Sequence, residues 1–599
     1  MKLTDYVVQF LADRGAHHVF GVTGGAVVHL FDSAARSGRM MPVFHHHEQA
    51  ASFAAEAYAR VTNRLGACFV TAGPGATNAL TGLAGAWLDS LPCVFISGQA
   101  RVAHTTRGKK IRQLGTQQLD VIEIVRPLTN YAVMIDDAQS IRFHLEKACD
   151  LATRPRPGPV WIDLPLDLQW AEVDPDGLPG YSPPEESNVP CASDSDLSQL
   201  RSWLGESTRP LVLAGYGVRQ SRSEEEFIRF VETFDIPFVT SWGAADLAPG
   251  AHRLHLGRPG LASQRGANLA MQNCDLLIAL GSHLCIPITG TMFQSFAREA
   301  RIVVVDVDSV ELDERTVRID LAIHGEVGDL LRRVQVDADA ACPQVSEPWR
   351  KACRRYVDVY NAPPKPASSD VISPYQFVKT LSDHCEEGDI VVVDGGGTNV
   401  YVAYQTFVLK RNQRMVLTTG LCAMGSGLPE SIGACFASGG RRTICVCGDG
   451  SFQLNVQELQ TIKHHCLPIK LFVTNNDGYI SIRHTQEGFL KSNYVGSRAE
   501  GGMSLPDVLL VAASYGLQTL RIERPEDLAG GIEHVLASSG PMVCEIMADP
   551  DQEVIPRQGF EPLPNGLFGP RPLEDMAPHL DSEELSEVMF VKPWTTNSS

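Results

Sequence analysis

The sequence has no CxxC pair, no apolar run long enough to cross a membrane and no excess of basic residues. Its 15 cysteines are mostly scattered singly, which does not indicate a zinc site and is typical of a reduced, cytoplasmic compartment. The balance of 51 basic against 70 acidic residues gives a net charge of −19, which argues against a nucleic-acid-binding surface. The expected partners are therefore small molecules rather than nucleic acid or membrane.

The order of apolar and polar segments indicates several α/β domains, because a chain of 599 residues is too long for a single hydrophobic core. Strand-like runs such as HHVFGV alternate with helical patterns such as AVVHLFDSAARS, which predicts parallel sheets with helices on both faces. Pro- and Ser-rich stretches at 174–193 and 361–369 are typical of linkers. We therefore predict three doubly wound parallel-sheet domains and a tail, at residues 1–172, 190–340, 366–550 and 551–599.

The stretch HHHE at residues 45–48 places three histidines and a carboxylate side by side and raises the question of a metal site. Consecutive strand residues alternate faces, so a strand through the histidines would separate them. No second His or Cys cluster lies at a useful spacing. We expect His45 and His46 to be packing or surface groups. Glu48 falls where a predicted strand ends and a helix begins, at the edge where parallel sheets bind ligands.

The clearest chemical signal lies in the predicted third domain, residues 366–550, where two apolar strands each end in polar residues. The strand at 443–447 is followed by GDGS (448–451), and the next strand ends in NN (475–476). Carboxylate, amide and carbonyl oxygens suit an octahedral Mg²⁺, and small glycines beside a helix N-terminus let the backbone approach a diphosphate. Gly-Asp-Gly alone is a common turn. The two motifs at this spacing predict a site for magnesium and a diphosphate.

GDGS followed by NN resembles the motif of thiamine-diphosphate-dependent enzymes, and other segments extend the resemblance over nearly the whole chain. FGVTGGAV, HHEQAASFAAEAYAR, TAGPGATNALTGLAGAWLDS, ISGQ, RPGPVWIDLP, DGGGTN and LCAMGSGLPESIGA resemble the corresponding pieces of the acetolactate synthase group. The closing stretch, with PLEDMAPHL at 572–580, is similar to a branch found beside sugar and secondary-metabolite pathways. The resemblance implies a large-subunit-like carboligase with pyrimidine-binding, central and diphosphate-binding domains. Its cofactors would be thiamine diphosphate and Mg²⁺.

The resemblance also implies which residues hold the cofactors. Asp449, Asn476 and the Gly478 carbonyl would bind Mg²⁺. Met424 would bend the thiamine diphosphate, although a methionine outside this context is more typical of an ordinary core. The other expected cofactor contacts are Gly25, Gly397, Thr398, Asn399, Cys422, Gly448, Gly450, Ser451, Tyr479 and Ile480.

Glu48 would hold the pyrimidine N1′ and favour removal of the proton from the reactive carbon, as the glutamate of the HEQ motif does in the family it resembles. Without the resemblance, a solvated glutamate in the first turn of a helix is the preferred interpretation. His47 is expected to contact the cofactor or the substrate. Gln117, as a catalytic residue, and Gln99, as a substrate contact, match family glutamines near the first substrate. Each could equally be a structural hydrogen-bonding group.

Two departures from the acetolactate synthase group bear on the reaction. Acetolactate synthases hold a second 2-oxo acid with an arginine and a tryptophan, and the matching positions here are His283 and Thr485. Loss of the cation removes a charge-assisted clamp on a carboxylate, and loss of the tryptophan opens the pocket, so both favour a bulkier acceptor. Ser481 is the remaining expected substrate contact. Pro287 stands where the flavin-binding stretch carries an arginine, which disfavours FAD without excluding it.

These observations predict a carboligase that decarboxylates a small, pyruvate-like 2-oxo acid and transfers the acyl group to a carbonyl acceptor, giving a 2-hydroxyketone. The acceptor is left open among a 2-oxo acid, an aldehyde, a ketone and a keto-sugar. The alternatives are a decarboxylase that does not ligate, a true acetolactate synthase and, outside enzymes, a catalytically silent binding subunit. In the family it resembles, the counterpart of Glu48 faces the diphosphate-binding domain of another chain, so a homodimer or homotetramer is expected.

Overall fold

The chain forms two compact units, seen in a computed structural model that describes residues 1–184, 189–335, 342–366, 368–562 and 568–594. The first unit contains Met1–Asn188, Gly388–Asn399 and Arg414–Pro550, as far as these ranges are described. The second contains Val189–Glu387, Val400–Gln413 and Asp551–Ser599, within the same limits. In the described part, no helix is long and apolar enough to cross a membrane.

The N-terminal sheet of the first unit has six strands, and all neighbouring strands run parallel. The strands are β1 (His18–Gly21), β2 (Met41–Phe44), β3 (Gly66–Val70), β4 (Cys93–Gln99), β5 (Tyr131–Met134) and β6 (Val160–Pro165). The helices are α1 (Leu3–Asp13), α2 (Val28–Ser37), α3 (Glu48–Thr62), α4 (Pro74–Asn78), α5 (Leu80–Leu88), α6 (Val121–Val125), α7 (Ile141–Thr153) and α8 (Leu166–Gln169). The spatial order β2-β1-β3-β4-β6-β5 reverses direction at β1, which leaves a crevice at the carboxyl ends of β1 and β3.

The central sheet belongs to the second unit and has five parallel strands. They are β7 (Pro210–Ala214), β8 (Phe238–Thr240), β9 (Leu276–Leu280), β10 (Arg301–Asp306) and β11 (Leu321–His324). Their spatial order is β11-β10-β9-β7-β8. Its helices are α9 (Asp194–Glu206), α10 (Gly217–Gln220), α11 (Glu224–Thr233), α12 (Arg265–Asn273), α13 (Ile286–Thr289), α14 (Ser309–Asp313), α15 (Val327–Val334), α16 (Glu347–Arg355) and α17 (Pro374–His384). The second unit therefore includes α17, although the sequence predicts this segment within the third domain, residues 366–550.

The third sheet returns to the first unit and again has six parallel strands. They are β12 (Ile390–Val393), β13 (Arg414–Leu417), β14 (Thr443–Gly448), β15 (Ile469–Asn475), β16 (Gln518–Ile522) and β17 (Met542–Met547). The helices are α18 (Gly397–Thr406), α19 (Gly427–Ala437), α20 (Asp449–Leu454), α21 (Leu459–His464), α22 (Ile480–Phe489), α23 (Val508–Ser514) and α24 (Leu528–Ala537). Only the first three residues of α18 belong to the first unit, because the second unit takes the chain from Val400. The order β13-β12-β14-β15-β17-β16 reverses at β12. The predicted fold of three doubly wound parallel sheets is confirmed.

The tail packs on the central domain within the second unit. It contains an antiparallel pair, β18 (Phe560–Pro562) and β19 (Phe568–Pro570), and the short helix α25 (Ser582–Val588). The buried hydroxyl of Tyr356 donates to the carbonyl of Val588 at 2.6 Å, and Arg265 donates to the carbonyl of Pro578 at 2.5 Å. These contacts anchor the tail through its backbone.

Helices α3 and α19 pack together inside the first unit and enclose a buried polar cluster. The guanidinium of Arg60 donates to Glu56 at 3.2 Å and to Asp89 at 2.5 Å. Glu430 of α19 is fully buried and accepts the hydroxyl of Thr418. Burial raises the pKa of Glu430 to about 7, and burial together with the charge of Glu430 raises the pKa of Glu56. The cluster therefore retains a proton near neutral pH.

Candidate active site

Three neighbouring strands of the third sheet end in polar residues at one edge. Asp394 follows β12, Asp449 follows β14, and Asn476 follows β15. Because the strands are parallel neighbours and the chain reverses at β12, this edge is where a doubly wound sheet binds ligands. The structure thus brings the GDGS and NN motifs together at one edge, and it adds Asp394, the first residue of DGGGTN.

Asp449 is buried at the start of α20 and is held by two backbone N–H groups. Gly450 donates to Oδ1 at 2.8 Å, and Gly478 donates to Oδ2 at 2.9 Å. Burial raises the pKa of the Asp449 carboxyl to about 6, partly offset by these N–H donors. Gly478 has φ +106°, a conformation that favours glycine, so its backbone can turn toward Asp449. The carboxylate is fixed beside the turn that follows β15.

Asn476 carries a buried side-chain oxygen, Oδ1, that has no hydrogen-bond partner among the described residues. A buried acceptor without a partner is costly, and a cation would satisfy it. The backbone of the same turn is held by Arg483, which is buried and donates to the carbonyls of Asn476 (2.7 Å), Asp477 (2.7 Å) and Pro550 (2.8 Å). Arg483 could not be recognised from the sequence, because a single arginine in a helix carries no motif.

Gly397, Thr398 and Asn399, called here the diphosphate segment, lie at the same edge. Gly397 begins α18, and the hydroxyl of Thr398 is buried without a partner among the described residues. The side chain of Asn399 is engaged with Thr474, donating at 2.7 Å and accepting at 3.0 Å. The hydroxyl of Ser451 donates to Asp394. The free Thr398 hydroxyl and the N-terminus of α18 suit an anion, whereas the Asn399 amide already has a partner.

Small residues keep the edge open around GDGS. Gly448 ends β14, and Gly450 lies under the ring of Tyr479, which occupies the space that a Cβ would take. Any larger side chain at Gly450 would displace this ring. Ile480 begins α22 directly after Tyr479 and is buried.

Met424 is 37% exposed, which does not fit the interpretation as an ordinary core methionine. It follows Cys422, a residue with φ +53° whose thiol donates to the carbonyl of Gly395. Burial raises the pKa of the Cys422 thiol to about 11, so it stays protonated. The hydrogen bond from Cys422 to Gly395 holds the turn that carries Met424 against the loop after β12.

The histidines of HHHE are separated by the backbone. Strand β2 ends at Phe44, before the histidines. His45 is buried, and burial lowers its pKa to about 3. His46 is exposed, and His47 precedes α3, where its Nδ1 accepts from the backbone N–H of Gln49 at 3.1 Å. Among the described residues, no three His, Cys, Asp or Glu side chains gather as a metal-binding group.

Glu48 is the first residue of α3 and is half-buried. The side-chain amide of Asn78 donates to Glu48 Oε2 at 2.9 Å. Oε1 lies beside Gly75 in the first turn of α4, the helix that follows β3. The carboxylate therefore lies at the crevice of the N-terminal sheet, with one oxygen held and the other facing small residues.

One segment after α20 joins the surroundings of Glu48 to those of Met424. The amide of Asn455 donates to the carbonyl of Gly425 at 2.8 Å and to Gln49 Oε1 at 3.3 Å. The backbone N–H of His46 donates to Glu458 at 3.0 Å. Within the first unit, these bonds join the segment that carries Glu48 to the segment that carries Met424 in the same chain, whereas the family resemblance implies that Glu48 faces the diphosphate-binding domain of another chain.

The two predicted glutamines have different surroundings. Gln99 is buried, its amide donates to Asp163 and to the carbonyl of Leu119 at 2.8 Å each, and its oxygen accepts from Ala100 at 2.9 Å. These bonds favour the structural interpretation of Gln99. Gln117 is exposed with φ +64°, and its backbone packs on Gly73 in the turn that also contacts Glu48.

Gly25 is exposed, with open space where a Cβ would lie.

The loop that leads to Gln117 is strongly basic in a chain of net charge −19. It contains Arg101, Arg107, Lys109, Lys110 and Arg112, and every one of them is exposed. Arg107 pairs with Asp136, and Arg101 lies 5.7 Å from the ring of Trp170. Lys110 and Arg112 have no acidic partner among the described residues. The loop therefore offers uncompensated positive charge close to the turn that touches Glu48.

The predicted acceptor residues fall in both units. Ser481 and Thr485 lie on one exposed face of α22, and the Thr485 hydroxyl donates to the carbonyl of Ser481 at 3.1 Å. Ser481 also lies beside Gly397 of the diphosphate segment. His283 is exposed in the second unit, after β9, and its carbonyl accepts from Arg315.

The residues present fit a magnesium ion and a diphosphate: an oxygen of Asn476 and a hydroxyl of Thr398 are buried and unpartnered, beside a carboxylate and small glycines. The chain matches the descriptions "Thiamine pyrophosphate enzyme, N-terminal TPP binding domain" over residues 1–124, "central domain" over 197–334 and "C-terminal TPP binding domain" over 394–546.

The curated relatives include the acetolactate synthase large subunit of Lactococcus lactis, which is 31% identical over 94% of this chain and 94% of the relative. The acetolactate synthase isozyme 2 large subunit of Escherichia coli is 30% identical over 93% of this chain and 97% of the relative. The chloroplastic acetolactate synthase of Arabidopsis thaliana is 32% identical over 93% of this chain and 82% of the relative. The chain therefore belongs to the thiamine pyrophosphate enzymes, as a member of the acetolactate synthase-like group with thiamine diphosphate and Mg²⁺ as its cofactors.

Proposed function

We propose that this protein is a carboligase that decarboxylates a small 2-oxo acid, pyruvate first, and transfers the acyl group to a carbonyl acceptor. The observation that carries the proposal is the similarity to acetolactate synthases over almost the whole chain. When bound, thiamine diphosphate supplies the nucleophilic carbon and the electron sink for decarboxylation. The chain's own residues bind the cofactors, hold a proton and select the acceptor.

Asp449, Asn476 and the Gly478 carbonyl are proposed to hold Mg²⁺. Three features of the turn support this assignment: the carboxylate fixed by backbone N–H groups, the unpartnered Asn476 oxygen and the carbonyl at a left-handed glycine. Oxygen donors of this kind suit a hard cation that keeps positions for phosphate oxygens. The Thr398 hydroxyl and the start of α18 are proposed to receive the diphosphate, and Ser451 would join them by exchanging its hydrogen bond to Asp394 for one to a phosphate oxygen.

Glu48 is proposed to hold a proton at the pyrimidine N1′. Its Oε2 is already held by Asn78, so Oε1 is the oxygen left for this hydrogen bond. A carboxyl group fixed in this way loses little conformational freedom when it engages its partner, which favours proton transfer. His47 caps α3 with Nδ1 and leaves Nε2 for the cofactor or the substrate.

The acceptor is proposed to be bulkier than a second pyruvate and to lack a carboxylate next to its carbonyl: an aldehyde, a ketone or a keto-sugar. Two small hydroxyl side chains, Ser481 and Thr485, lie on one exposed face of α22, and Ser481 lies beside Gly397. His283 provides no permanent cation for a carboxylate. The active assembly is proposed to be a homodimer or homotetramer.

A product screen tests the proposal. The protein, Mg²⁺, thiamine diphosphate and pyruvate are incubated alone and with a panel of aldehydes, ketones and 2-oxo acids, and the products are separated by chiral gas chromatography. A carboligase yields 2-hydroxyketones that depend on the acceptor. Release of acetaldehyde alone under all conditions would identify a non-ligating decarboxylase, and acetolactate as the sole product would identify an acetolactate synthase.

A further inference from the structure

We propose that Glu458, assisted by Asn455, is a positioning residue that fixes the backbone from which Glu48 projects. The inference rests on the proposed role of Glu48. Both residues lie in the short segment between α20 and α21, on the diphosphate side of the first unit, whereas Glu48 lies on the pyrimidine side.

The carboxylate of Glu458 is fully buried and is surrounded by donors rather than by a cation. The N–H of His46 donates to Oε1 at 3.0 Å, and the hydroxyl of Thr461 donates to Oε2 at 2.7 Å. The backbone of His47 also donates to this carboxyl. A buried carboxyl is costly unless its hydrogen bonds are made, so the side chain is held in one place by these donors.

Two of these donors, the backbone N–H groups of His46 and His47, belong to the residues that immediately precede Glu48. Strand β2 ends at Phe44 and α3 begins at Glu48. The N–H of His45 still donates to the Gly21 carbonyl at 2.9 Å, whereas the N–H groups of His46 and His47 both donate to Glu458. Burial raises the pKa of Glu458 to about 7, and either protonation state retains an oxygen that can accept the His46 N–H. Glu458 therefore holds the two backbone N–H groups that lie between the end of the β1–β2 pairing and the first residue of α3, which is Glu48.

Asn455 contacts Gln49, the residue that follows Glu48. Its amide donates to Gln49 Oε1 at 3.3 Å and to the Gly425 carbonyl at 2.8 Å, next to Met424. The residue thereby sets the separation between the start of α3 and the Met424 turn. A displacement of about 1 Å in a reacting group costs up to about a hundredfold in rate, so modest loosening here is measurable.

The test compares Glu458→Ala, Glu458→Gln and Asn455→Ala in the full-length protein loaded with Mg²⁺ and thiamine diphosphate. The rate of exchange of the cofactor C2 proton with deuterium is measured by quenched NMR, without substrate, and cofactor affinity is measured by calorimetry. We expect about tenfold slower exchange in Glu458→Ala and about threefold in Asn455→Ala, with cofactor affinity within about threefold. Glu458→Gln keeps the shape and an acceptor oxygen, and it should exchange within about threefold of the unaltered rate.

Asp275→Asn is the matched control, because Asp275 also accepts backbone N–H groups, from Thr208 and Arg209, but in the second unit. Exchange at the unaltered rate in Glu458→Ala, or equal slowing in Asp275→Asn, would overturn the inference. If Glu458→Ala does not fold, unaltered exchange in Asn455→Ala overturns it. Glu48→Gln is measured in parallel: unaltered exchange in that variant would instead reject the proposed role of Glu48.

Discussion

The turn after β15 depends on Arg483, and replacing this arginine should weaken magnesium binding. The buried guanidinium donates to three carbonyls, two of them in the turn that carries Asn476 and Gly478. Arg483→Lys keeps the charge but loses the planar fork, so at least one of the three bonds should be lost. Arg483→Met removes all three and leaves the carbonyls buried without donors.

The magnitude follows from the number of bonds. A hydrogen bond to a charged group contributes about 1.5 to 3 kcal/mol, and a change of 1.4 kcal/mol alters an equilibrium constant about tenfold. If the lost bond mainly stabilised the ion-binding form of the turn, Arg483→Lys should bind Mg²⁺ about tenfold more weakly. Arg483→Met should weaken binding about a hundredfold or more, and it should also lower the melting temperature.

Calorimetric titration of Mg²⁺ into protein with excess thiamine diphosphate measures this change directly, and thermal unfolding without Mg²⁺ measures general destabilisation. Arg442→Lys is the matched control, because Arg442 pairs with Asp389 at the amino end of the same sheet, at 2.7 Å. Unaltered Mg²⁺ affinity in Arg483→Lys, or an equal loss in Arg442→Lys, would show that Arg483 supports the fold but not the metal turn.

The remaining predictions concern pH, charge and acceptor choice. Burial raises the pKa of Glu430 to about 7, above its unfolded value of 4.5, so its contribution to stability is present below about pH 4.5 and is lost as pH rises through 7. Glu430→Gln should therefore raise the melting temperature more at pH 8 than at pH 5, and an equal change at both pH values would contradict this. Lys110→Glu with Arg112→Glu should lower kcat/KM for an anionic 2-oxo acid about three- to tenfold at low salt, with kcat unchanged and the difference shrinking as salt is added; a salt-independent loss would argue against steering. His283→Arg with Thr485→Trp should shift the product ratio from hydroxyketones toward acetolactate in a competition between aldehyde and pyruvate, and an unchanged ratio would remove both residues from acceptor selection.

The sequence was sufficient for the three parallel sheets, because their strands are continuous apolar runs between helical segments. It also located the edge at which Asp449 and Asn476 meet, since both follow adjacent strands. The assignment of HHHE was more difficult. The predicted strand through the histidines ends at Phe44, and only the structure shows that His47 caps α3.

Contacts between distant parts of the chain could not be predicted. Arg483, Glu458 and Asn455 each act through hydrogen bonds to backbone atoms or to a single side chain, and such partners leave no periodicity in a sequence. The burial of Gln99 among its partners likewise depends on the packing of the loop that ends at Leu119. The roles of the individual site residues stay predictions until they are measured.

The segment from Asp449 to Glu458 has a consequence for protein engineering. It begins at Asp449, a proposed Mg²⁺ ligand, and ends at Glu458, whose carboxyl group contacts His46, with α20 between them. An insertion or deletion within these residues would shift one end relative to the other. Chimaeras that exchange the pyrimidine-binding domain between relatives should therefore also exchange Asn455 and Glu458 with it, so that both halves of this joint come from the same parent.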